Sequence, residues 1–451
     1  MTHYELRTDL SSDLPPSEDI RILDWAPGDR AATIQTGERG PDFFAGWRPT
    51  RAGADLMLLG AGAYCVDRTA RRRVTDDAWT RQLRLKLPVA DTQTWNDASW
   101  AGVLSFLTGD TWQIDPYHED HHPLDGVPGV PIGESPLGLD VDGVCLFSGG
   151  LDSLCGVIDL LEEDSQRRLC LLSHHEGGQA STAQSVLFDS LTNHYEGRLI
   201  SRRLYLRPAP SSQFQARPLP RDRENTTRSR SLLFLSTALA MATAVSPELP
   251  VYVPENGFIG VNVPLTRARA GSLSTRTTHP HFMHLLAQAS NAVGVANPVI
   301  NPYRLATKGE MLVESRNPTL LRQLAPLSVS CAHPETARYA KRPQGNCGYC
   351  FPCLIRRASL AHVGWDDTPY AWDVLTEDEL LSPRAQRGAD LRAIINGVFV
   401  DRPDRDVLRN GPLPLGEGAA FLRVWRQGLT ELRAWLTQGA TGNLALMLST
   451  S

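Results

Sequence analysis

Apolar and polar positions change rhythm along the chain. The first fifty residues, rich in Pro, Gly and charge, hold few periodic signals. From Ala54 the segment ADLMLLGAGAYCVDR is an apolar run with glycines. RQLRLKLPV then alternates, with Leu83, Leu85 and Leu87 on one face, which predicts a half-buried strand. WNDASWAGVLSFLTGD reads as helix and TWQIDPY as a further strand, so residues 1–118 predict a mixed α/β domain. HEDHHPLDGVPGVPIGESPLG has no hydrophobic period and predicts a linker, taken as 119–139. From about Asp140 buried-strand runs alternate with helical patterns: GVCLF, RLCLLS, LISRRLYL, LPVYVP and NPVIN between amphipathic or apolar helices. This alternation predicts an α/β fold over 140–370, a parallel sheet flanked by helices. LRAIINGVF and AAFLRVWRQGLTELRAWL carry apolar residues at spacings of three and four, which predicts a C-terminal helical segment over 371–451.

Composition narrows the class. The chain has 451 residues, 41% hydrophobic and 21% charged, with net charge −5. That size accommodates a well-buried core, and that balance gives no global basic footprint for nucleic acid. One stretch runs the other way: Arg202, Arg203, Arg207, Arg217, Arg221, Arg223, Arg228 and Arg230 face only Asp222 and Glu224. It reads as a phosphate-binding patch or as a solvated loop. No run of eighteen apolar residues predicts a membrane span, and the first residues lack the order of a secretory signal, so the expectation is a cytoplasmic protein. His118, His121 and His122 fall in the linker and read as solvated. His174, His175, His279 and His281 read as bystanders on strand-end loops.

Two motifs carry chemistry. Ser148-Gly149-Gly150-Leu151-Asp152-Ser153 follows the GVCLF strand and opens a helix at about Leu151. Backbone N–H groups in such a turn form an anion-binding nest, and the helix end adds partial positive charge. Gly149 and Gly150 permit close approach, and the Ser148 and Ser153 hydroxyls can donate to phosphate oxygens. Asp152 either caps the helix or holds a magnesium that bridges phosphates. The second motif is Cys331, Cys347, Cys350 and Cys353, with two C-x-x-C steps sharing Cys350. Four thiolates suit a closed tetrahedral zinc site of structural type; an iron–sulfur cluster and free thiols are the alternatives. The scattered Cys65, Cys145, Cys155 and Cys170 read as small buried hydrophobes.

The glycine loop matches the signature of the PP-loop ATPases, the N-type ATP pyrophosphatases, which cleave the α–β bond of ATP. With the cysteine tail C-G-Y-C-F-P-C-L-I-R (Cys347–Arg356), it resembles the QueC family of 7-cyano-7-deazaguanine synthases. The resemblance covers roughly Asp140 to Tyr370. It places Arg230 on the family's arginine in RSLLFLSTALA, Lys308 in the K-x-E-[IM] step KGEM, and Gln179 in the turn after the second strand. It implies a PP-loop (HUP-like) fold with ATP, Mg²⁺ and Zn²⁺, cofactor contacts at Ser148–Ser153 and Gln179, and catalytic roles for Asp152, Arg230 and Lys308. The implied substrate is a 7-deazaguanine carboxylate, adenylated and passed to an amine. There are departures. Gly177 replaces the family's aromatic, and its substrate segment is only echoed by STRTTHPHF around Arg276, Thr277, Thr278 and His279. With YCVDR, WTRQLRLKLPV and FLTGDTW ahead of the core, the chain is similar to the QatC group, the QueC-like components of the Qat anti-phage systems. That implies a partner protein of the same operon. A PP-loop tRNA-modifying enzyme and a non-catalytic ATP-binding component of a defence complex are the competing expectations.

Overall fold

The computed structural model describes residues 1–8, 20–25, 32–36, 46–122, 140–209, 219–225, 227–266, 275–382 and 384–449. Most of the expected linker and Arg217 therefore lie outside the described residues. In chain order the first part runs β1 (Thr2–Arg7), β2 (Ile20–Asp24), β3 (Ile34–Gln35), α1 (Arg51–Thr69), β4 (Gln82–Val89), α2 (Thr92–Asp97), α3 (Trp100–Thr108) and β5 (Thr111–His118). The alternating β4 buries Leu83, Leu85 and Leu87 completely. It pairs in parallel with β1 on one side and β5 on the other, in a four-stranded sheet ordered β2-β1-β4-β5.

The second part runs β6 (Gly143–Leu146), α4 (Leu151–Glu163), β7 (Leu169–His175), α5 (Gly178–His194), β8 (Leu199–Tyr205), β9 (Arg207–Pro208) and α6 (Arg230–Thr243). It continues through β10 (Val251–Tyr252), α7 (Gly257–Val261), α8 (Pro280–Ala292), β11 (Val299–Ile300), α9 (Lys308–Val313), α10 (Pro318–Leu324) and α11 (Phe351–His362). The chain ends with α12 (Ala389–Val398), α13 (Gly418–Gly439) and α14 (Gly442–Ser449). Among the described residues no helix is long and apolar enough to cross a membrane.

Five strands form the central sheet in the order β11-β10-β6-β7-β8, every pairing parallel. Both faces are covered, which is why its strands read as continuous apolar runs rather than alternating ones. Val144, Cys170, Leu172 and Val251 pack into the core that holds α6. Cys145, Leu169 and Leu171 point the other way, into the core under α4 and α5. A third core gathers α7, α11, α12 and α13 around Trp372, Trp425 and Trp435.

The apolar run from Ala54 is α1, and nearly all of it is buried. A helix that is apolar all round is one covered on all sides. Here β4 lies against one side and α6 against the other, so the first sheet and the central sheet share one hydrophobic core. The glycines set the spacing between the helices. A Cβ on Gly60 would lie 2.0 Å from Ser236 Oγ and 3.1 Å from Leu233 Cα, and one on Gly53 would lie 2.5 Å from Thr243 Oγ1. Gly60→Val is therefore expected to destabilise the fold by about 3 kcal/mol, read as a lower midpoint in chemical denaturation. An unchanged midpoint would mean that the two helices can part at little cost.

Candidate functional site

Counted in chain order, the central strands lie 5-4-1-2-3, so the order reverses between β6 and β10. Ligands of open α/β sheets bind beyond the strand ends at that reversal. The glycine loop occupies this place. Gly149 has φ +78°, where a Cβ would stand 3.1 Å from the Gln184 backbone nitrogen, so only glycine fits without strain. Ser148 Oγ accepts from the Gly150 N–H at 3.2 Å and lies 3.3 Å from Ser153 Oγ, which donates to the Gly150 carbonyl at 3.0 Å. Gln184 supports the turn from below, its Nε2 within 3.2 Å of the Ser148 carbonyl and 3.3 Å of the His174 carbonyl. The Leu151 N–H donates to Ser330 Oγ at 3.0 Å. The loop faces a cleft of about 460 Å³ that Arg230, Phe234, Glu255, Thr278 and Lys308 also line.

Asp152 faces across the sheet reversal and does not cap its own helix. Its Oδ1 lies 2.8 Å from Lys308 Nζ, and its Oδ2 accepts from the Asn256 backbone and side-chain nitrogens at 3.2 and 2.7 Å. Lys308 is buried in the first turn of α9, where Thr307 and Glu310 form a capping box. Glu255, just beyond β10, brings a second carboxyl to the same cleft and accepts from Thr278 Oγ1 at 3.0 Å. Burial and the negative charge of Asp152 push the Glu255 carboxyl up to about 7, against the opposing pull of Thr278 and Lys308.

That upward shift makes Glu255 costly when ionised. The native state holds the Glu255 proton more tightly than the unfolded chain does, so stability falls as pH rises from about 4.5 through 7. Glu255→Gln is expected to remove this slope and to raise stability at pH 8 by about 2–3 kcal/mol. Parallel stability–pH curves for the two proteins would contradict it. The sequence reading passed over Glu255, although an acid directly after the LPVYVP strand was the available signal.

Arg230 enters the cleft from the first turn of α6 and is held by a histidine to which the sequence assigned no role. Its Nε donates to His174 Nδ1 at 3.0 Å and its Nη2 to the His174 carbonyl at 3.0 Å. His174 Nε2 lies 2.9 Å from the Leu206 carbonyl, so the ring is the neutral tautomer with its proton on Nε2. Burial and the Arg230 charge lower its pKa to about 3. The start of α6 is in turn fixed from α1: Asp67 Oδ2 accepts from the Arg228 and Ser229 N–H groups at 2.7 and 2.9 Å. Asp67 itself belongs to a buried network in which Arg81 bridges Asp67 and Asp110, and Arg72 pairs with Asp110.

Other expected residues fall elsewhere. Gln179 does not line the cleft: its N–H donates to Glu335 Oε1 at 2.6 Å and its Nε2 to Gln344 Oε1 at 2.8 Å. The arginine run is largely engaged inside the molecule. Arg203 bonds Ser181 and Ser185, Arg223 the Pro220 and Ala209 carbonyls, and Arg228 stacks on Trp79. His118 Nδ1 lies 2.9 Å from the Ala90 carbonyl. His279 caps α8 by accepting from the His281 N–H at 3.2 Å.

The four cysteines converge. Their sulfurs all lie within 4.8 Å of one another, with Cys331–Cys350 at 3.8 Å and Cys347–Cys353 at 3.9 Å. A tetrahedron with Zn–S bonds of about 2.3 Å has edges of about 3.8 Å, so the set fits a metal such as zinc. Backbone N–H groups of His333 and Cys347 approach Cys331 Sγ at 3.3 Å, as donors to a thiolate do. Gly348, at φ +85°, makes the knuckle turn, and a Cβ there would strike the Trp372 carbonyl at 2.1 Å. Arg356, three residues past Cys353, is fully buried and donates to Ser328 Oγ at 2.7 Å and the Ala325 carbonyl at 2.6 Å. Among the described residues no other group of three or more ligating side chains comes within such distance.

No protein-family model, no curated protein and no solved structure matches the chain. An α/β fold with parallel sheets flanked by helices, joined to a four-cysteine cluster, is what the structure establishes.

Proposed function

We propose that the cleft binds ATP and uses it to adenylate the carboxylate of a 7-deazaguanine-type base, which is then passed to an amine. One observation carries the reading. The S-G-G-L-D-S turn opens onto a cleft at the reversal point of the sheet, and Asp152, Lys308, Arg230 and Glu255 converge there. In the first step a carboxylate oxygen attacks the α-phosphorus and the bond to pyrophosphate breaks. The end of α4 and the loop donors other than the Gly150 and Leu151 amides, which Ser148 and Ser330 engage, stabilise the charge that builds on the leaving pyrophosphate. In the second step an amine nitrogen attacks the carbonyl carbon and AMP leaves.

Arg230, held by His174 at the wall of the cleft, is the cation that would meet the phosphates. Lys308 neutralises Asp152 until a cation or phosphate competes for it. Asp152 and Glu255 are the carboxylates that would hold magnesium, which supplies charge neutralisation at the β- and γ-phosphates. Phe234, Leu235 and Ile259 supply an apolar wall, and Thr275, Thr277 and Thr278 supply hydroxyls, a lining suited to a planar heterocycle. Arg276 turns out of that segment, donating to the Phe106 carbonyl at 2.7 Å and stacking on Phe106.

The amine is ammonia or, in the anti-phage setting that the resemblance implies, an amine of a partner protein. The tRNA reading loses support from the internal engagement of the arginine run. The test is incubation with ATP, magnesium and 7-carboxy-7-deazaguanine, monitoring AMP and pyrophosphate, together with mass spectrometry of co-expressed partners. Release of both products supports the reading. No AMP under any of these conditions rejects it in favour of a non-catalytic ATP-binding role.

A further inference from the structure

We propose that Ser330 is a positioning residue that couples the four-cysteine cluster to the glycine loop, so that metal loading of the cluster sets how firmly the loop holds a triphosphate. Only the final clause rests on the nucleotide reading above.

The coupling is a short strap, residues 328–331, bonded at both ends. On the loop side the Val329 N–H donates to the Gly149 carbonyl at 2.9 Å, and Ser330 Oγ accepts from the Leu151 N–H at 3.0 Å. On the cluster side the Ser330 N–H donates to Asn346 Oδ1 at 3.1 Å, and the Ser330 carbonyl lies 3.6 Å from Cys353 Sγ. Ser330 and Asn346 each immediately precede a cluster cysteine, Cys331 and Cys347. Asn346 Nδ2 closes the circuit on the Ser328 carbonyl at 3.0 Å, and buried Arg356 ties Ser328 to the helix that carries Cys353.

Among these contacts, Ser330 Oγ is the side-chain atom that touches the loop. Without metal, four thiols held at van der Waals distance lose the bonds that fix Cys331 and Cys347, and the strap loses its anchor. The first turn of α4 then loses the acceptor that aligns its Leu151 amide.

The experiment compares wild type, Ser330→Ala and Ser330→Thr, each metal-loaded and chelator-treated. Hydrogen exchange at amides 149–153, ATP affinity by calorimetry and bound zinc are measured. Loaded Ser330→Ala should keep the wild-type zinc content, exchange its loop amides faster, and bind ATP about tenfold more weakly, the effect of roughly one hydrogen bond. Ser330→Thr, which restores the acceptor, should recover both. Chelation should loosen the loop of wild type but change Ser330→Ala by less than about twofold more. Unchanged loop exchange in Ser330→Ala, or a chelation effect as large in the variant as in wild type, overturns the coupling. Where chelation unfolds the chain, the loaded Ala and Thr variants decide alone. A wild type that binds no ATP sinks the nucleotide reading, while the exchange measurement still decides the coupling.

Discussion

Asp152→Asn should lower pyrophosphate release by about 10²–10³-fold at saturating ATP while leaving a folded protein. The amide oxygen can still accept both hydrogen bonds from Asn256, so the contact between α4 and the end of β10 survives. The side facing Lys308 changes: a buried ammonium now meets a neutral amide where it had an anion at 2.8 Å. Losing one partner of a buried pair normally costs about 3–5 kcal/mol, but Glu255 supplies a second carboxyl. With the Asp152 charge gone, one of the two causes that raise Glu255 towards about 7 disappears, and Glu255 ionises at lower pH. The variant should therefore stay folded at pH 7 and show a weaker decline in stability between pH 5 and 8 than wild type. Asp152→Asn combined with Glu255→Gln leaves Lys308 with neither carboxylate and should unfold much more readily than the sum of the single changes. Additive single and double variants would show that the three side chains do not act together. Full pyrophosphate release from Asp152→Asn would remove Asp152 from the chemistry.

How much of this was visible beforehand depends on how locally each feature is written. The strands of the central sheet and the glycine loop are short, contiguous signals: an apolar run, a turn, an amphipathic helix. The two C-x-x-C steps are equally local, and the sulfurs meet as their spacing predicts. Glu255 carried a local signal, an acid at a strand end, but its pairing with Asp152, like that of His174 with Arg230, was illegible because it comes from topology. Glu255 faces Asp152 only because β10 pairs beside β6, Val251 against Val144, across a separation of more than a hundred residues. His174 looked like one of several strand-end histidines until α6 placed Arg230 upon it. The segment from Ala54 lacked any period because it is buried on all sides, so nothing in the run distinguishes strand from helix. Gln179 was drawn to the site by resemblance to a motif whose aromatic is missing here. With Gly177 at φ +96° and Gly178 at φ +78°, the backbone turns so that Glu335 captures the Gln179 amide. The arginine run was ambiguous for a different reason: composition counts charges but not the internal carbonyls and aromatic faces that engage them.

Cys353→Ser should destabilise the protein by at least about 3–5 kcal/mol and abolish stoichiometric zinc binding. Cys170→Ser, equally buried, should keep the metal and cost far less. The two sites differ in what surrounds the sulfur. Cys170 lies in a strand of the central sheet within an apolar core, where burial keeps the thiol protonated and pushes its pKa up to about 12. Serine there costs about 1–3 kcal/mol for a buried hydroxyl short of partners. Cys353 has three sulfurs around it, and a hydroxyl is a poor fourth ligand for a soft-liganded zinc. Metal bonds contribute folding energy directly, and a metal here would tie the strap before Cys331 to the knuckle at Gly348 and to the start of the helix that carries Arg356. Chelator should therefore lower the midpoint of wild type and Cys170→Ser alike, yet leave Cys353→Ser nearly unchanged, because the variant has already lost what the chelator removes. If Cys353→Ser retains one zinc per chain, or if chelator shifts none of the three proteins, the cluster is a packing feature and its convergent sulfurs hold no metal.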